Sequence, residues 1–431
     1  MKQGGGRAGW PPLKLGNPIL ILGRIGIRAP QTGYIANMRR GIHAGFMRFQ
    51  LTVVRWVIVV FCLWLHASKA DDRIWVQAKI NGKPARLCLD TGAAGPILHG
   101  KAVAQRFGLK FTPPKTNASI PPGKIPVGRT ETCTLSLWGT NFRVQFRVTE
   151  LAEPLQMELD GVIGWNYIIN NELLQIDAAG HRVAFLSRLP KNITTWTKLP
   201  LYTNSGSLQL ELSLGGKSNE ILVDTGDPVG VALHPDNWLE WKASHPKQPL
   251  TLRAAFMPDS GLMAKEEAWA DKLVLGPLVL NGVPVTEAGP SEVLDSPQFA
   301  AALGMAGLRR LDLIVDSKHG VAYLRSKTTQ PPAYNHNRLG AVFMPADLQS
   351  HTLVAHVVDG SPAYEAGVRN GDVLVNLDDH SRPDSRAHSS PIDPFWRRTG
   401  TKLDFTLKRG KSTIKATAIL RDILAPEHTK P

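Results

Sequence analysis

The chain has 431 residues, 43% of them apolar and 20% charged, which is enough to build packed cores and too long for one ordinary domain. That composition excludes a disordered chain, which needs low hydrophobicity and high net charge. The formal charge of +14 is uneven: residues 1–70 hold 10 Lys/Arg and no Asp or Glu, leaving 40 basic against 36 acidic residues in the remainder. With no basic groove laced with aromatics, nucleic acid is excluded as a partner.

Residues 53–65 (VVRWVIVVFCLWL) are apolar except for Arg55, follow Arg48, and lead to Ser68-Lys69-Ala70. A basic flank, a short apolar core and small residues before a cut describe a secretory signal peptide. The run falls short of the ~20 residues of a membrane span. A retained membrane anchor stays open beside it, because Arg55 interrupts the core. Either reading implies an exported protein, periplasmic or extracellular; Met47, just ahead of this segment, offers an alternative start codon, and with either start the folded chain is expected from near Asp71. Cys62 lies in this leader; Cys88 and Cys133 are either a disulfide in an oxidising compartment or two buried small apolar residues. No Cys/His spacing of a metal site occurs, and no metal or cofactor is expected.

After the leader the sequence repeats itself. Residues 74–82 (IWVQAKING) and 83–92 (KPARLCLDTG) read as strand, Asn-Gly turn and strand, ending in Asp90-Thr91-Gly92. Residues 208–216 and 221–226 repeat the hairpin and end in Asp224-Thr225-Gly226. Downstream, Asp160 to Trp165 is matched with Leu303 to Gly307. Leu174 to Asp177, with its turn at Gly180, is matched with Leu313 to Asp316 and a turn at Gly320. Short helices are expected over 100–109 and 235–241, each after an Asp loop. Residues 326–337 (SKTTQPPAYNHN) read as a polar linker. A different module follows: a strand over 352–358, a helix capped by Ser361 with Pro362 at its first position, and a turn at Asn370-Gly371-Asp372 into the next strand.

One Asp-Thr-Gly reads as a plain turn; two at equivalent positions of a repeat do not. Two carboxylates about 3 Å apart cannot both ionise, so they share a proton and supply base and acid together. Gly92 and Gly226 let the loops approach, and Thr91 and Thr225 can bond across them. His99 and His234 have no partner at catalytic spacing, and Ser205-Gly206-Ser207 lacks a nucleophile elbow.

At these residues the chain resembles the pepsin-like and retropepsin-like aspartic peptidases, over roughly residues 73–325. The resemblance implies a mainly β fold of two aspartic-peptidase-like β lobes related by a pseudo-two-fold axis, with Asp90 and Asp224 as the catalytic pair. It also implies an apolar-apolar-Gly segment behind each loop, here Val162-Ile163-Gly164 and, loosely, Met305-Ala306-Gly307, and a flap within 116–132. The second loop departs from the family: Asp227 adds a third carboxylate and Pro228 removes a backbone donor.

Gly360-Ser361-Pro362-Ala363, Glu365-Ala366-Gly367 and Gly371-Asp372 resemble a PDZ domain. That implies a small α+β domain docking peptide C-termini or extended segments along Leu339, Gly340, Ala341, Val342 and Phe343. Residues 381–394 read as a loop inserted in this domain. The expected organisation is a leader over 1–70, lobes over 71–190 and 197–326, and the PDZ-like domain over 338–423. The expected function is an aspartic endopeptidase acting on polypeptides; a catalytically weak peptide-binding protein is the alternative.

Overall fold

A computed structural model describes residues 73–112, 127–149, 159–167, 173–202, 206–214, 216–257, 261–289, 299–328, 334–345, 352–378, 380–381 and 393–424. The chain divides into two units, 1–70 and 71–431. The leader lies outside the described residues, as do residues 116–126 of the expected flap and most of the expected 381–394 loop.

The second unit is mainly β. In its first half, alternating buried and exposed residues of Trp75–Ile80 and Lys83–Asp90 form a hairpin through the Asn81-Gly82 turn, both turn residues at positive φ. Lys83–Asp90 then runs parallel to Gly161–Gly164, which is antiparallel to Ile97–His99. The second half repeats the pattern. Gln209–Leu214 and Lys217–Val223 form the hairpin, Lys217–Val223 runs parallel to Phe299–Leu303, and Phe299–Leu303 is antiparallel to Val231–Leu233. The short helices are Lys101–Arg106 and Pro235–Ser244, in the expected places and slightly shifted in length.

A five-stranded sheet joins the halves. Its order is Arg182–Leu186, Leu173–Asp177, Leu311–Asp316, Val321–Ser326, Thr197–Pro200, so the matched C-terminal hairpins of the two repeats pair with each other. One apolar core runs through both halves, with Leu89 and Ile163 from the first and Val223 and Leu303 from the second.

Cys88 and Cys133 form no disulfide. Leu87 and Leu89 point into the main core with Cys133, whereas Cys88 packs on the opposite face of the sheet with Leu159 and Val162. The reading as two buried residues is the one observed.

The C-terminal module is a separate sheet in the order Ala341–Pro345, Leu353–Val357, Val373–Leu377, Lys402–Arg409, Ser412–Ile419. Its core gathers Phe343, Phe395 and Phe405. The helix is Pro362–Glu365, and the Ser361 hydroxyl accepts from the Tyr364 N–H as its N-cap. The expected polar linker is not solvated at its end: His336 and Asn337 are buried.

Candidate active site

Each Asp-Thr-Gly loop ends the inner strand of its hairpin, and the two loops meet. The Thr91 N–H donates to Thr225 Oγ1 at 3.1 Å, and the Thr225 N–H donates to Thr91 Oγ1 at 3.0 Å. Each hydroxyl also donates to the carbonyl just before the opposite Asp: Thr91 to Val223 at 2.6 Å, Thr225 to Leu89 at 2.9 Å. Both threonines are buried, so these four bonds satisfy groups that water cannot reach. They lock the two loops across the pseudo-two-fold axis.

The glycines set the separation. A Cβ on Gly92 would stand 2.7 Å from Asp224 Oδ2, and one on Gly226 would stand 2.6 Å from Asp90 Cγ. Each carboxyl group is thus packed on the opposite loop where only glycine fits. The Asp90 and Asp224 side chains hydrogen-bond to each other. Asp90 Oδ1 also accepts from the Ala93 N–H, and Asp224 Oδ1 from the Gly226 N–H, both at 2.9 Å.

Burial pushes the Asp90 carboxyl above its ordinary value, against the opposing N–H groups of Ala93 and Gly92; the charge of Asp227 adds to the rise. Asp224 is pushed well above, by burial first and then by the charges of Asp90 and Asp227. All of this favours a pair holding one proton.

Residues 76–167 match the family model described as Aspartyl protease. No curated protein matches the chain. The matched stretch contains Asp90-Thr91-Gly92 and Val162-Ile163-Gly164, and it supports a peptidase reading. The second loop lies outside it, and rests on the geometry alone.

The supporting segments need one correction. Asp90 lies opposite Gly164, and Val223 lies opposite Leu303, so Asp224 falls level with Gly304. The equivalent of Val162-Ile163-Gly164 is therefore Ala302-Leu303-Gly304, not Met305-Ala306-Gly307. The contacts agree. A Cβ on Gly164 would meet the Ala93 carbonyl at 2.5 Å, and one on Gly304 the carbonyls of Val229 at 2.5 Å and Asp227 at 2.8 Å. The Trp165 N–H donates to the Ala93 carbonyl and the Met305 N–H to that of Asp227. Met305–Leu308 instead forms a buried helical turn. Ala302-Leu303 before Gly304 was the available signal, hidden by a second apolar-Gly step three residues on.

Asp227 occupies the place of Ala93, and its Oδ1 accepts from the Val229 N–H at 3.2 Å. Facing it electrostatically is Arg253, on the hairpin Leu250–Met257 and Gly261–Leu275. Burial disfavours the Arg253 charge, but Asp227 and Glu267 outweigh it and hold the guanidinium charged. Glu267 is buried and accepts from the Tyr334 hydroxyl at 2.5 Å. None of this charge cluster was legible in the sequence, because its members lie on separate segments. His99 is kept neutral, its pKa lowered to about 4 by burial and then by the Arg73 charge; it takes no part in the pair.

Leu339, Gly340, Ala341, Val342 and Phe343 are all buried. Ala341 and Phe343 point into the module's own core, while Val342 and Met344 pack on Leu252 of the peptidase-like part. The strand expected to face a ligand presents no exposed side chain.

Proposed function

We propose that the chain is an aspartic endopeptidase that hydrolyses polypeptides with Asp90 and Asp224. The observation that carries this reading is the reciprocal packing of each carboxyl on the opposite loop's glycine, with the side chains hydrogen-bonded to each other. In the proton-sharing state, the ionised carboxylate takes a proton from a water held between the pair. The protonated partner donates to the scissile carbonyl oxygen as the water oxygen bonds to carbon. The tetrahedral diol then collapses: the C–N bond breaks, the leaving nitrogen gains a proton and the pair returns to one proton. Thr91, Thr225, Gly92 and Gly226 hold the geometry.

In this reading the PDZ-like module is the docking element for extended peptide segments or, when its carboxylate-binding end is opened, peptide C-termini, and the leader exports the protein to a periplasmic or extracellular site, cleaved or retained as an anchor. A second reading, a weakly catalytic peptide-binding protein, is favoured by one observation: Asp227 raises both carboxyls.

The test is cleavage of a mixed peptide library by residues 71–431, beside Asp90→Asn and Asp224→Asn. The parent is expected to cut, and each substitution to lower the rate by at least about 10³-fold. A folded parent inactive from acid to neutral pH would leave the binding reading.

A further inference from the structure

We propose that Asn337 closes the peptide-capturing end of the C-terminal module from within, and ties that module to the second-half hairpin as an intramolecular clamp. This rests on the docking role proposed for the C-terminal module and not on the peptidase reading.

The Asn337 side chain is buried and fully used. Its Oδ1 accepts from the N–H groups of Leu339 at 2.9 Å and Gly340 at 3.3 Å. Its Nδ2 donates to the carbonyls of Ala341 at 2.7 Å and Leu252 at 2.8 Å. Two acceptor and two donor bonds exhaust a carboxamide, and swapping O for N would set N–H against N–H, so the orientation is fixed. The Asn337 carbonyl accepts from the buried Thr251 hydroxyl at 2.6 Å. One residue thus bonds to three groups of its own strand entry and two of the strand Leu250–Met257.

The donors it holds are the ones an incoming chain end would need. Gly340 has φ +69°, and a Cβ there would stand 2.3 Å from Ser361 Cβ, so only glycine fits here, and the N–H groups of Leu339 and Gly340 converge on one oxygen. Such a nest captures a carboxylate. Here an amide oxygen of the same chain takes both donors. Strand Ala341–Pro345 ends its sheet, yet Val342 and Met344 lie against Leu252, Ala254 and Ala264 of the hairpin. Two further ties flank the clamp: Tyr334 to Glu267, and buried His336 to Asp422 at 2.9 Å. The hairpin carries Arg253, which faces Asp227 beside the catalytic pair. Holding the hairpin therefore fixes the strand that carries Arg253, and Asn337 is a positioning residue for that strand.

The experiment compares the full-length chain with Asn337→Ala and Thr251→Val by amide hydrogen exchange. It also measures the binding of a fluorescent apolar peptide with a free, or an amidated, C-terminus. In Asn337→Ala, exchange across 250–257 should quicken about tenfold while Lys217–Val223 keeps its parental rate. Carboxylate-dependent peptide binding should rise about tenfold over the parent. Thr251→Val, which leaves the nest filled, should quicken hairpin exchange without opening the peptide site, and serves if Asn337→Ala does not fold. Unchanged hairpin exchange, or a parent that binds the free-carboxyl peptide as tightly as the variant, overturns the proposal. Neither readout needs peptidase activity, so an inactive parent counts against the enzyme reading alone.

Discussion

At the scale of single residues, the decisive feature is that three carboxylates crowd one site. Asp90 and Asp224 share a hydrogen bond, and Asp227 adds a charge that raises both. A nearby negative charge favours the protonated form, so the single-proton state persists to higher pH than two carboxyls alone would allow. The sign of a substitution follows. Asp227→Asn removes that charge, the pair gives up its last proton at lower pH, and the basic limb of the kcat/KM profile should move to lower pH. Steady-state rates across the acidic range measure this; a basic limb that stays put or rises would mean Asp227 does not act on the pair. Arg253 already offsets part of the Asp227 charge, which makes that shift smaller than an unpaired carboxylate would produce.

At the scale of elements, the unit that builds the site is a loop threaded against a parallel strand, twice. Asp90 opposite Gly164 and Asp224 level with Gly304 place each carboxyl where two strands meet. Gly304 is needed because the Asp227–Val229 backbone crosses within 3 Å of its missing side chain. Gly304→Ala should push that backbone outward, costing about 1–3 kcal/mol of stability, with kcat lowered more than KM is raised. Chemical denaturation beside kinetics checks both effects. A fully active and equally stable Gly304→Ala chain would reject the register assigned to Phe299–Leu303.

At the scale of the whole molecule, the central sheet makes the halves interdependent. Leu173–Asp177 of the first half pairs with Leu311–Asp316 of the second, while one apolar core spans both repeats. Cooperative units follow such shared packing. Amides of Leu87–Leu89 and Ile221–Val223 should therefore exchange at one common, global rate. Two distinct rates, each responding to substitutions in its own half only, would show that the repeats unfold separately. The C-terminal module has its own core of Phe343, Phe395 and Phe405, so its inner strands can exchange at a rate of their own.

The sequence by itself determined the repeat, the hairpins and the two Asp-Thr-Gly loops that end them, because turn chemistry at Asn81-Gly82 and the alternation leading to each Asp are local properties. It also delimited the C-terminal module through Ser361-Pro362 and Gly371-Asp372. Only the tertiary structure decided what depends on register and on which faces meet. Gly304 rather than Gly307 supports the second loop because strand pairing, not the apolar-Gly pattern, counts the residues. Cys88 and Cys133 stay apart because alternation sends them to opposite faces of one sheet. Asn337, polar and in a proline-rich segment, reads as solvated linker. It is buried because five of its partners come from backbone and hydroxyl groups that the fold leaves in need of a bond. A polar residue's burial is set by the partners waiting for it, and those lie up to 86 positions away in the chain.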